Sequence, residues 1–140
     1  MMPDLFLKSR ARESLRDFAS RIEKVLNLPA LERRESSHYV GGEYFRCAAL
    51  AIEVTIALSD ESDLDDYAFW IVLEPEGAWV VDRAFLEGLA DLLARRLTIA
   101  GERAMRLSDS ENKPKAKRIF YALNPGASHL SDDEVITTER

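Results

Sequence analysis

Residues 51–58 read Ala-Ile-Glu-Val-Thr-Ile-Ala-Leu, and residues 67–73 read Tyr-Ala-Phe-Trp-Ile-Val-Leu. In the first run Ile52, Val54, Ile56 and Leu58 alternate with Glu53, Thr55 and Ala57. A period of two rich in β-branched residues predicts a strand with one apolar and one mixed face. In the second run Tyr67, Phe69, Ile71 and Leu73 fall on one side, and Ala68, Trp70 and Val72 on the other. Apolar residues on both sides mark a central strand covered twice, or one whose second face meets a partner. Only the acidic stretch at 59–66 separates the runs, so no crossover helix joins them and they pair antiparallel.

Working outward, residues 9–27 place Leu15, Phe18, Ala19, Ile22, Val25 and Leu26 at steps of three and four, the stripe of an amphipathic helix. Asp17 and Arg21, four apart on its polar side, are spaced to pair. Leu28-Pro29 ends it, because the residue before proline is pushed away from helical angles. Asp4 to Lys8 suits a short strand or an early helical turn equally. A polar link at 32–37 leads to the Gly41-Gly42 turn and a strand from Glu43. After the turn at 74–77 comes a short extended piece at 78–81. Asp82 then caps a second helix, with Phe85, Leu86, Leu89, Ala90, Leu92, Leu93 and Leu97 as its apolar stripe and Gly101 as its stop. Two more strands fit residues 103–107 and 117–123. The expected fold is α+β, a mostly antiparallel sheet of about five strands with two amphipathic helices packed on it. It forms a single domain over 1–126, followed by a polar C-terminal tail at 127–140.

The chain has 140 residues, of which 46% are hydrophobic and 31% charged, enough apolar material for one buried core. Nineteen Lys and Arg face twenty-five Asp and Glu, for a net charge of -6. That balance argues against nucleic acid as a partner. The charge is also uneven, with no Lys or Arg between Cys47 and Asp82. Asp60, Glu61, Asp63, Asp65 and Asp66 crowd one loop, and Tyr67 and Trp70 follow directly. Crowded acids repel one another but offer a strong field to a cationic surface, and adjacent aromatics supply interface anchors. These seven residues form the expected partner-binding site. As a calcium loop the stretch fails, since Tyr67 stands where a third ligand belongs and Ala68 where the glycine belongs. The basic run Lys113-Pro114-Lys115-Ala116-Lys117-Arg118 lacks interleaved aromatics and reads as a lysine-guarded loop or edge.

Catalytic parts are scarce. Cys47 is the one cysteine and lies in a predicted strand, where it reads as a small core residue. His38 and His129 form no cluster of zinc spacing, and no phosphate loop or nucleophile elbow occurs. The expectation is a non-enzyme with no cofactor and no metal. One cysteine makes no intramolecular disulfide, and the apolar stretch at 5–7 is too short for a signal-peptide core. No run approaches the roughly 20 residues that span a bilayer. A cytoplasmic protein without a membrane partner is expected.

The segment Glu35-Ser36-Ser37-His38-Tyr39-Val40-Gly41-Gly42-Glu43-Tyr44-Phe45 resembles small bacterial immunity proteins of contact-dependent growth inhibition and related polymorphic toxin systems. The run Leu50 to Leu73, two strands around an acidic loop, is similar to them as well. The resemblance implies a non-catalytic inhibitor that neutralises one cognate toxin domain. A basic toxin nuclease would suit the acidic loop. The alternative is an acidic secretion chaperone that binds an effector segment. Against it, no amphipathic helix follows Leu123. The sequence leaves the toxin, the mode of inhibition and the oligomeric state open.

Overall fold

The computed structural model describes residues 3–8, 12–60, 66–77, 79–108, 117–122 and 134–137. Eight strands form one sheet: β1 (Asp4–Leu7), β2 (Glu32–Glu35), β3 (Glu43–Ala49), β4 (Ile52–Leu58), β5 (Phe69–Pro75), β6 (Ala104–Ser108), β7 (Lys117–Ala122) and β8 (Glu134–Thr137). Their order across the sheet is β2-β3-β4-β5-β1-β6-β7-β8. Every pairing is antiparallel except β7 with β8, which is parallel. Helices α1 (Leu15–Leu26) and α2 (Arg83–Ile99) complete the α+β architecture.

The class matches the sequence reading, and the strand count exceeds it for three local reasons. Asp4–Leu7 is a strand and not a helical turn, because it fills the slot between β5 and β6. The polar link at 32–37 holds β2, a strand with no apolar side chain and all four residues exposed. It can be wholly charged because it lies at the sheet edge, where Arg33 pairs with Glu35 and Glu43, and Arg34 with Glu32. Within the expected tail, Glu134–Thr137 is β8, in register with Ile119–Ala122. The expected extended piece at 78–81 is no strand over its described residues 79–81.

Both helices lie on one face of the sheet. Leu5 and Leu7, Phe45 and Cys47, Val54 and Ile56, Phe69, Ile71 and Leu73, and Ile119 and Tyr121 share a core with Phe18, Ile22, Leu86, Ala90 and Leu97. Phe18 stacks on Phe69 with ring centroids 4.0 Å apart. Ser14 caps α1 by accepting from the Asp17 N–H, and Asn27 ends it in a left-handed conformation. Pro29 stands beyond this stop. Arg21 does not pair with Asp17. It makes two bonds to Glu13 (2.9 and 2.6 Å) and one to Glu102, tying α1 to the start of β6. Asp82 caps α2 through the Ala84 N–H, and Ala100 with Gly101 closes it.

The stripe expected for α2 is also corrected. Leu86, Ala90, Ala94 and Leu97 are its buried line, with Leu89 and Leu93 packed at the margin. Phe85 and Leu92 face solvent instead. Helix α2 is apolar over more of its circumference than one sheet contact uses.

Candidate protein-binding surface

The alternation that sends Phe69, Ile71 and Leu73 into the core sends Trp70 and Val72 to the opposite face of the sheet, which no helix covers among the described residues. Register brings Asp4, Phe6, Ala57 and Met105 to the same face. Phe6, Ala57, Val72 and Met105 are buried there, so this face carries an apolar layer of its own. Trp70 is half-buried, and its indole Nε1 donates to Asp4 Oδ2 at 3.0 Å.

Tyr67 departs from the alternation expected of it. It precedes β5, and its ring lies 6.3 Å from that of Phe120, whose position opposite Met105 puts it on the helix-free face. Lys8 Nζ stands 5.4 Å from the Tyr67 ring centroid, and the Arg118 guanidinium 5.9 Å from that of Phe120. The loop therefore turns Tyr67 to the side that Trp70 occupies. Ser59 N–H donates to the Ala68 carbonyl at 2.8 Å and closes the base of the acidic loop. Asp60 and Asp66 are both exposed beside it. Glu61, Asp63 and Asp65 lie outside the described residues. Of the seven expected binding residues, the four described ones thus sit at one end of β4 and β5, two acids at the rim and two aromatics on one face.

Towards β2 the same face becomes polar. Arg46 binds Glu53 at 2.7 Å and reaches Glu32 and Glu76 at 3.4 and 3.8 Å. Although burial works against its charge, these carboxylates raise the Arg46 pKa, chiefly through the Glu53 hydrogen bond. Tyr39 stacks on Tyr44 at 4.3 Å, so residues 35–45 deliver an aromatic pair to this face. Burial first, then nearby Tyr44, Glu74 and Glu53, push the Tyr39 phenol up.

A second surface escaped the sequence reading. Phe85 and Leu92 are 58% and 59% exposed on the outer side of α2, with Ile99 continuing their line. Trp79 and Val80, just before α2, are also exposed. Leu50, 93% exposed, sits at the tip of the β3–β4 turn with Ala51, and both have positive φ (54° and 64°). The signal for α2 was present as the seven-residue spacing of Phe85, Leu92 and Ile99. It was hidden because Phe85 and Leu92 fit one broad stripe with the core positions.

The remaining chemistry-bearing groups hold elements together. Tyr121 donates to Asp91 Oδ1 (2.7 Å) and accepts from Arg106 Nε (2.9 Å), while Arg106 also binds Glu87 (2.7 Å). This set fastens α2 to β6 and β7. Burial, helped by the bond to Asp91, pushes the Tyr121 phenol up to about 12. Asp91 ends below its ordinary value: burial works to raise it, and hydrogen bonds from Tyr121 and Arg95 overcome that. Cys47 is a buried core residue as expected, and burial pushes its thiol up, which disfavours the reactive thiolate. His38 is exposed. Among the described residues no three His, Cys, Asp or Glu side chains are grouped to hold a metal ion, and no helix is long and apolar enough to cross a membrane. No protein-family model, curated protein or solved structure matches the chain.

Proposed function

We propose that this protein is a non-catalytic inhibitor of the immunity type, which neutralises a cognate toxin domain by binding it through the acidic loop and the helix-free face of the sheet. The observation that carries the reading is the convergence of Tyr67 and Trp70 on that face beside exposed Asp60 and Asp66. Aromatic anchors within an acidic rim suit a basic protein partner: the anchors supply contact area and the rim supplies steering. The resemblance of residues 35–45, whose Tyr39–Tyr44 stack lies on the same face, supports the same reading.

The test begins with the partner recovered on the tagged protein from its own cells. Its binding is then compared for wild type and for the variant with Asp60, Asp63, Asp65 and Asp66 all changed to Asn. Steered association should slow at least tenfold at low salt and lose most of its salt dependence, with the unfolding midpoint unchanged. Trp70→Ala should instead speed dissociation. Unchanged association kinetics in the quadruple variant would rule out the loop as the docking site. Turnover of a small molecule without any protein partner would rule out the inhibitor reading altogether.

A further inference from the structure

Trp70 lies in register between Ala57 of β4 and Phe6 of β1 on the helix-free face. Its indole has a single hydrogen-bond donor, and Asp4 Oδ2 accepts from it at 3.0 Å. Asp4 is buried at 8% exposure and stands diagonally from Trp70, level with Val72. It belongs to β1, a strand paired on both sides, so the acceptor is held by the sheet itself. The orientation of the indole is thus set from a neighbouring strand. With its N–H occupied, the part of Trp70 that meets solvent offers ring carbons and a π face, and no donor. An acid bonded to the N–H also pushes electron density into the ring, which deepens the negative potential of that face.

The neighbouring aromatics already hold cations of the chain. Lys8 stands over Tyr67 at 5.4 Å, and Arg118 over Phe120 at 5.9 Å. Among the described residues no cation stands over Trp70, although tryptophan attracts cations more strongly than tyrosine or phenylalanine. We propose that Asp4 is a positioning residue, which fixes Trp70 so that the face of its indole receives an arginine or lysine side chain of the toxin domain. The proposal rests on the reading of the helix-free face as the docking surface, and it names the group that the partner brings there. Exposed Asp60 and Asp66, at the same end of β4 and β5, draw the same charge. A cation laid on the ring needs no acceptor from the partner, which suits an indole whose donor is already bound to Asp4.

Trp70 and Trp79 are the only tryptophans, so Trp79→Phe leaves Trp70 as the one indole. Without any partner, its Nε1–H should exchange slowly with solvent in proton–nitrogen spectra. Asp4→Asn keeps an acceptor oxygen and should keep this protection, whereas Asp4→Leu should lose it at least tenfold. Equal exchange in wild type, Asp4→Asn and Asp4→Leu would overturn the positioning role. Binding is read with the partner recovered on the tagged protein. Asp4→Leu should dissociate about tenfold faster, and Asp4→Asn should stay within about threefold of wild type. Tryptophan bearing one, two and three ring fluorines at position 70 then separates face from edge, because fluorine drains the π face and strengthens the N–H as a donor. A cation on the face should bind about twofold more weakly with each fluorine. Affinity that rises with fluorine would give the N–H to the partner and overturn the proposal. Affinity that stays flat, while Trp70→Ala still weakens binding, would replace the cation by an apolar contact and leave the docking surface standing. Unchanged binding in Trp70→Ala would overturn the docking surface and the proposal together.

Discussion

Replacing Arg21 by methionine keeps a similar apolar stem and removes the guanidinium that joins Glu13 to Glu102. The side chains of Glu13 and Glu102 are only 10% and 3% exposed, so each carboxylate loses a hydrogen-bonded cation where little water reaches it. Burial works to lower the Arg21 pKa, and its bonds to Glu13 and Glu102 raise it above its ordinary value regardless, as expected for an arginine that serves these two acids. Removing one partner of a buried ion pair typically costs about 3–5 kcal/mol. For a domain whose whole stability is about 5–15 kcal/mol, that is a large share. Urea denaturation at pH 7 should therefore show a much lower midpoint for Arg21→Met with an unchanged slope. The triple variant Arg21→Met, Glu13→Gln, Glu102→Gln should recover most of the loss. A deficit below about 1 kcal/mol would refute the reasoning, since that is how a solvated surface pair behaves.

Tyr121 carries a prediction about pH. Its folded pKa of about 12 exceeds the ordinary value of 10, so its contribution is complete below pH 10 and is lost between pH 10 and 12. Tyr121→Phe should show a shallower alkaline fall in unfolding free energy than wild type, by roughly 2–3 kcal/mol across that window, in denaturant titrations at stepped pH. The β3–β4 turn is built from two non-glycine residues with positive φ, so Leu50→Asn with Ala51→Gly should raise stability by about 1 kcal/mol and the melting temperature by a few degrees.

The α+β class followed from periodicity, because β3, β4 and β5 turn an apolar side chain towards the helices at every second residue. Strand β2 carries no such record. Its sequence, Glu-Arg-Arg-Glu, is that of a solvated link, and only the edge position next to β3 makes it a strand. Likewise β1 is short enough that Asp4–Leu7 fits either regular structure, and the choice is made by β5 and β6, distant in the chain. The proposed binding residues divided in the same way. Asp60, Asp66 and Trp70 could be singled out from composition and neighbours alone. The turn of Tyr67 onto the helix-free face depends on Phe120, fifty-three positions away. The outer seam of α2 stayed hidden because hydrophobicity marks what avoids water without saying which surface will shield it.

The place of β1 at the middle of the sheet has a consequence for how the molecule assembles. Strands β2 to β5 are neighbours in sequence and can zip together as successive hairpins, and β6 with β7 forms a separate pair. Among the described residues the two groups join through β1, which precedes both in the chain. The Leu73 N–H also donates to the Pro3 carbonyl, extending that junction by one residue. Until β1 slots between them, each group exposes a raw strand edge, β5 on one side and β6 on the other. Folding must therefore hold an early segment in waiting for two later ones, a long-range step that slows the search and leaves two sticky edges open while it lasts. A pulse of hydrogen exchange during refolding should find the amides of Leu5 and Leu7 among the last to gain protection, after those of β4.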